Sequence, residues 1–159
     1  KQTEKDGNKT VLSGVPASLP SLIKAYRMQD KARNAGFDWE KKEDVWQKVR
    51  EEIGEFEEEA NKWSTIASDE SLTVEKREEA RDKMEREFGD LLFSLINAAR
   101  LYKIKPDNAL EKTNQKFQKR FTYVELKARE QGKRLDEMTL AEMDALWEEA
   151  KMLEKRNNN

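Results

Sequence analysis

No histidine and no cysteine occur in the 159-residue chain. The lack of histidine removes Ser-His-Asp and Cys-His catalysis, HExxH zinc sites and the Glu-x-x-His ligands of di-iron bundles. The lack of cysteine removes disulfides, thiolate nucleophiles and cysteine-ligated zinc, and it fits a cytoplasmic setting. No apolar run approaches the roughly 20 residues needed to cross a bilayer, so no membrane partner is expected, and no signal-peptide pattern opens the sequence as given. An excess of one charge is missing too. The 31 Lys and Arg nearly balance the 33 Asp and Glu, for a net charge of −2. No field-driven attraction to nucleic acid follows, and any phosphate binding must come from local placement of Lys and Arg. With 3 prolines and 6 glycines there is little to suggest a linker between domains, and the length suits a single core.

What the chain has in quantity is charge, 40% of its residues, arranged on helical periods. Residues 1–14 are polar and aperiodic and read as a tail or the end of a linker, leaving 15–156 as the folded domain. A first helix is expected from near Pro20 until Gly36 stops it. A second begins around Glu43, with Trp46, Val49, Ile53, Phe56, Ala60 and Trp63 stepping by three and four. Turn formers over Ser64 to Ser71 break that stripe. A third helix runs from about Thr73 to Tyr102. Its second half, LLFSLINAA, is apolar almost all round and suits the centre of a bundle. Pro106 opens a fourth helix with a Phe117/Phe121 core stripe, ended by Gly132. Thr139 with Glu142 forms a capping-box pattern for the last. No strand pattern and no internal repeat stand out. The expected fold is all-α, a bundle of four to five helices.

The acidic run VREEIGEFEEEA on the second helix asks what so many like charges do. At about 100° per residue, Lys48, Glu52, Glu55 and Glu59 form a ladder along one edge of the apolar stripe, whereas Glu57 and Glu58 point to solvent. The third helix carries Lys83, Glu87, Asp90, Ser94 and Asn97 along an equivalent edge. If the two helices pack antiparallel, Glu52/Glu55 can face Glu87/Asp90. Four acids in one place must then protonate in part or hold a cation. All-oxygen ligation suits a hard ion, Mg²⁺ first and Mn²⁺ as the alternative, and Mg²⁺ commonly completes its shell with substrate phosphates. The competing account of each acidic pair is solvated surface, and spacing alone leaves the two about level.

At these residues the sequence resembles the MazG family of nucleoside triphosphate pyrophosphohydrolases. The family pattern EExxE followed by ExxD reads as Glu51-Glu52-Ile53-Gly54-Glu55 and Glu87-Phe88-Gly89-Asp90, continued by LLFSLINAAR. The lead-in GVPASLPSLIKAYRMQDKARNAGFDW, the segment EKTNQKFQKRF and the closing MDALWEEAK extend the likeness over most of the chain. The resemblance implies hydrolysis of a nucleoside triphosphate between the α and β phosphates, with a broad or noncanonical nucleotide range. It makes Glu52, Glu55, Glu87 and Asp90 the magnesium ligands, and it puts Lys48, Lys83, Lys116, Arg120, Trp147 and Lys151 where the family contacts nucleotide. Glu51 is the candidate for orienting or deprotonating the attacking water. A homodimer is expected from the family and from the need of short bundles to bury their apolar faces. Two departures stand out. NKWSTIASDESLTV lengthens the gap between Glu55 and Glu87, as an insertion that extends both helices or forms a flap. The lead-in also looks like that of the second domain of a tandem pair. The competing functions are a nonhydrolysing nucleotide-binding regulatory domain and a helical scaffold without ligand.

Overall fold

The computed structural model describes residues 9–39 and 41–159, so most of the polar segment expected over 1–14 lies outside the described residues. Five α-helices carry the fold: α1 (Ser21–Asn34), α2 (Asp44–Ile66), α3 (Val74–Leu101), α4 (Pro106–Glu130) and α5 (Leu140–Asn157), with a 3₁₀ turn at Leu135–Glu137. Among the described residues there is no strand. The chain divides into two compact units, one running up to Asp107 and the other from Asn108 to Asn159.

Helix boundaries follow local chemistry. Thr73 caps α3 by accepting from the Lys76 amide at 3.3 Å, and Thr139 caps α5 by accepting from the Glu142 amide at 3.1 Å. Gly36 (φ 97°) and Gly132 (φ 67°) adopt the left-handed conformation that ends α1 and α4. The Phe37 amide then returns to the Ala32 carbonyl, and the Lys133 amide to the Ala128 carbonyl. The end of α3 uses the same device without a glycine: Lys103 sits at φ 58°, and the Ile104 amide bonds the Ala99 carbonyl. An L side chain in that region costs about 1–2 kcal/mol. Lys103→Gly should therefore raise stability by about 0.5–1 kcal/mol once the added freedom of the unfolded chain is deducted. Urea unfolding monitored by helical circular dichroism checks this, and a lowered midpoint would contradict it.

The expected break at Ser64 comes later than the turn formers suggest, because α2 continues to Ile66. The Ser64 hydroxyl donates to the Ala60 carbonyl at 3.0 Å and Thr65 does the same to Asn61, so both side chains are absorbed by the preceding turn. The long connection thus extends both helices around a short turn between Ile66 and Val74 rather than forming a flap.

In the first unit, α3 packs along α2 and against α1. The α2/α3 contacts pair Glu59 with Lys83, Phe56 with Phe88 and Trp46 with Tyr102. Positions rise on one helix as they fall on the other, so the two run antiparallel. Val45, Val49 and Ala98 form the core between them, flanked by Leu91 and Leu101. The second unit closes α4 on α5 through Val124, Ala128, Met138 and Leu146.

Two expectations about the core need correction. Ile53, Phe88, Leu92 and Leu95 are 38%, 45%, 42% and 42% exposed. The α2/α3 seam centres on Val45 and Val49, which turns part of the apolar stripe outward and leaves the middle of α3 uncovered on one side. Phe117 and Phe121 are likewise exposed. They stack on each other at 5.9 Å, with Phe117 against Trp147, and the same face of α4 is buried only farther along, at Val124 and Ala128.

Candidate metal centre and adjoining cavity

The antiparallel pairing of α2 and α3 opposes their acidic edges. Glu52, Glu87 and Asp90 each offer a carboxylate oxygen, and these oxygens lie within 4.8 Å of one another. Glu52 is buried, Glu87 half-buried and Asp90 exposed, so the group sits at the rim of the helix packing. Glu52 Oε2 and Glu87 Oε2 are shielded from solvent with no hydrogen-bond partner. Anionic oxygens left this way are costly unless a cation meets them. The residues therefore fit a hard divalent ion: three opposed carboxylates, two orphaned oxygens and no softer donor. Glu55 is exposed beside this group. The charge of Glu52, then desolvation and the charge of Glu87, hold its carboxyl above the usual value.

Lys48 Nζ lies 2.8 Å from Glu52 Oε1 and 3.9 Å from Glu51 Oε2. The hydrogen bond to Glu52 is the main reason its ammonium titrates above the ordinary lysine value. Glu51 is exposed and outside the three-carboxylate group. Lys83 meets Glu59 at 3.3 Å, and Lys62 shares the same oxygen at 3.2 Å. The Lys62 hydrogen bond, working against burial and assisted by Lys83, holds Glu59 below its usual value. Of the acidic ladder on α2, Glu59 is thus spoken for by lysines, whereas Glu52 keeps one oxygen without a partner.

The other expected nucleotide contacts belong to the second unit. Arg120 makes a bidentate ion pair with Glu154, the shortest contact being 2.8 Å, and its guanidinium lies 5.7 Å from the centre of the Trp147 ring. Lys151 bonds Glu148 at 3.3 Å. Lys116 is exposed in an open groove with Lys112, Lys119 and Glu154.

A cavity of about 720 Å³ opens beside the acids, with Lys48, Glu52 and Asp90 in its wall. Much of the remaining wall is apolar, from Met28, Ala32, Phe37, Trp39 and Phe93. Arg100 is buried in the wall, its Nη2 2.8 Å from both Asp38 Oδ1 and Asn97 Oδ1. Burial would raise Asp38, but the Arg100 hydrogen bond, the Trp39 amide and the charges of Arg100 and Arg33 outweigh it and hold the carboxyl below its ordinary value. Sequence reasoning did not single out Gln29, Asp38, Phe93 or Arg100 for the site. The run Gly36-Phe-Asp-Trp39 just past a glycine helix stop was a usable signal. Gln29 and Arg100 give none, because their burial depends on partners more than 60 residues away.

An all-α unit that opposes carboxylates across two antiparallel helices, beside a half-buried lysine and an aromatic-lined cavity, can hold a hard cation next to a ligand that is anionic at one end and ring-bearing at the other. Comparison with known proteins makes the class specific. The family model of the MazG nucleotide pyrophosphohydrolase domain matches residues 40–124, more than half of the chain, and the chain belongs to that family. It is 35% identical over 135 residues to the nucleoside triphosphate pyrophosphohydrolase/pyrophosphatase MazG of Thermotoga maritima, covering 84% of this chain and 45% of that protein. To the nucleoside triphosphate pyrophosphohydrolase of Escherichia coli (strain K12) it is 35% identical over 147 residues, 91% of this chain and 50% of that protein. A shorter match, 53% over 74 residues, joins 46% of the chain to 15% of the uncharacterized protein YabN of Bacillus subtilis. The chain thus spans about half the length of the two pyrophosphohydrolases.

Proposed function

We propose that residues 15–156 form a Mg²⁺-dependent nucleoside triphosphate pyrophosphohydrolase that releases nucleoside monophosphate and pyrophosphate, with Mn²⁺ as an alternative ion. The observation that carries this reading is the opposition of Glu52, Glu87 and Asp90 within 4.8 Å, two of them with orphaned buried oxygens, at the edge of a cavity. Family membership and the names of the two pyrophosphohydrolase relatives support it.

In this reading Glu52, Glu55, Glu87 and Asp90 hold the ion. Bound Mg²⁺ supplies charge neutralisation for phosphate oxygens and acidifies water. Lys48 steadies Glu52 and offers positive charge to the triphosphate, and Lys83, Lys116, Arg120, Trp147 and Lys151 are assigned to nucleotide contact by the family resemblance. Glu51, one residue from Glu52 and exposed, takes the proton of the attacking water. The substrate range is broad and includes surplus or noncanonical nucleotides, the setting is cytoplasmic, and the working form is a homodimer. The exposed row Phe88, Leu92 and Leu95 supports the last of these.

The test is to incubate the chain with ATP, dATP, dCTP or dUTP and Mg²⁺ and to separate the products. Monophosphate with pyrophosphate is expected. Diphosphate with inorganic phosphate would reject the cleavage position, and no turnover with any nucleotide would reject the enzyme.

A further inference from the structure

Glu59 is buried, 9% exposed, yet it stands outside the three-carboxylate group that fits the ion. Its Oε1 accepts from Lys62 of the same helix at 3.2 Å and meets Lys83 of α3 at 3.3 Å. One shielded oxygen thus gathers two ammonium groups, whose side chains are 51% and 61% exposed. Both are open to a ligand. Lys62 also meets the exposed Glu58 at 3.1 Å, and the competing account of these contacts is ordinary surface ion pairing.

These lysines lie at one end of the carboxylate layer, and the cavity lies at the other. Glu59 follows Glu55 by four residues on α2, and Lys83 precedes Glu87 by four on α3, about 6 Å along the axis in each case. In the opposite direction the cavity wall takes Lys48 and Glu52 from α2 and Asp90, Phe93, Asn97 and Arg100 from α3. None of these lies on the Lys83 side of the acids. A nucleotide with its nucleoside in the cavity and its phosphates at the carboxylates therefore points its terminal phosphates towards Lys83 and Lys62. Residues four apart are neighbours on a helix surface, so the Lys83 ammonium can reach a phosphate held over Glu87. When the bond from the α phosphorus to its bridging oxygen breaks, that oxygen leaves with the electron pair, and the β and γ phosphates depart together as pyrophosphate. Negative charge is then greatest at the lysine end.

We propose that Lys62 and Lys83, gathered by the buried Glu59, form the subsite for the β and γ phosphates and hold the pyrophosphate product. Lys62 comes from the stretch NKWSTIASDESLTV that separates the two acidic motifs, and it adds a phosphate contact to the site. The inference rests on the nucleotide reading above and deepens it. Because the subsite reads phosphate and not base, it fits a broad nucleotide range.

The experiment titrates the whole chain in a calorimeter, with Mg²⁺ present, using pyrophosphate and separately AMP. Lys62→Met and Lys83→Met should each weaken pyrophosphate binding roughly tenfold, the lower end for a hydrogen bond to a charged group, because both side chains are exposed. AMP ends at the α phosphate, so its affinity should stay within about twofold, as for a surface substitution away from a bound group. Lys62→Arg keeps the charge and should keep the pyrophosphate affinity. Pyrophosphate binding unmoved by Lys62→Met would overturn the inference and leave Lys62 a surface partner of Glu58 and Glu59. Equal losses on pyrophosphate and AMP would overturn it too, since they would report a change of general charge or of fold. An unaltered chain that converts ATP to AMP and pyrophosphate but whose variants fail this test keeps the pyrophosphohydrolase and loses the subsite. Cleavage of no nucleotide would reject the enzyme itself, and this inference with it.

Discussion

Asp90→Asn should cut turnover on the order of 10³-fold, beyond the 10- to 100-fold loss typical of removing an outer-shell partner of a metal, while leaving the unfolding midpoint measured without divalent ions no lower than before. The two halves of this expectation have one cause. Asp90 is exposed, and its nearest described acidic company is Glu52 and Glu87, each offering an oxygen within 4.8 Å. Without a cation these charges repel, so neutralising one relieves the fold. With a cation they are the reason it binds. Mg²⁺ at a hundred times its dissociation constant should stabilise the unaltered chain by about 2.7 kcal/mol, or about 5–10 °C for a chain of this size. Asp90→Asn should forfeit most of that rise. Glu52→Gln should also abolish turnover, but it removes the negative charge that Lys48 meets at 2.8 Å, so its metal-free midpoint should fall below that of Asp90→Asn. Product assays combined with thermal unfolding, with and without Mg²⁺, check all three statements. Unchanged rates in both variants, or a Mg²⁺-dependent rise that survives in Asp90→Asn, would remove the carboxylate cluster from the chemistry.

That cluster was legible in the sequence because helical geometry is local. Once Glu52 and Glu55 lie one turn apart on the edge of one stripe, and Glu87 and Asp90 on the edge of the next, only the relative direction of two consecutive helices is left to decide. The helix limits at Gly36, Thr73, Gly132 and Thr139 were legible for the same reason, since each is set by the backbone preference or hydroxyl of a single residue. What could not be read was rotation about the helix axes. The stripe containing Ile53 and Phe88 spans more than the seam covers, and which part turns outward depends on how Val45, Val49 and Ala98 interlock. The cavity was hidden for a related reason. Arg100 looks like any basic residue at the end of a helix until Asp38, 62 positions earlier, is brought to 2.8 Å. Gln29 looks solvent-facing until it meets the Phe93 carbonyl, 64 positions away. Lys83 sits one turn before Glu87 and invites assignment to phosphate, yet its contact across the seam is Glu59.

Leu92→Glu should convert a dimer into a monomer. Phe88, Leu92 and Leu95 step by four and three along α3, are 45%, 42% and 42% exposed, and form an apolar row on a chain that is 40% charged. A row of this kind on an isolated chain normally marks a contact surface. Apolar side chains offer no hydrogen bonds to an anionic or strongly polar partner, and a second copy of the same helix offers a matching apolar surface about a two-fold axis. Fully burying an exposed leucine contributes about 1.5–3 kcal/mol, and with 42% of Leu92 left to cover each copy gains about 0.6–1.3 kcal/mol. A two-fold interface counts each substitution twice, so loss of Leu92 alone should weaken association by about 1–2.5 kcal/mol, or roughly 10- to 60-fold. Placing two glutamates there adds the cost of desolvating like charges face to face. Sedimentation velocity separates the outcomes, since the subunit mass is 18.7 kDa: the unaltered chain should sediment at twice that mass, and Leu92→Glu at the mass of one subunit with its helical signal retained. A monomeric unaltered chain, or a dimer that tolerates Leu92→Glu, would mean that this face of α3 is not where two copies meet.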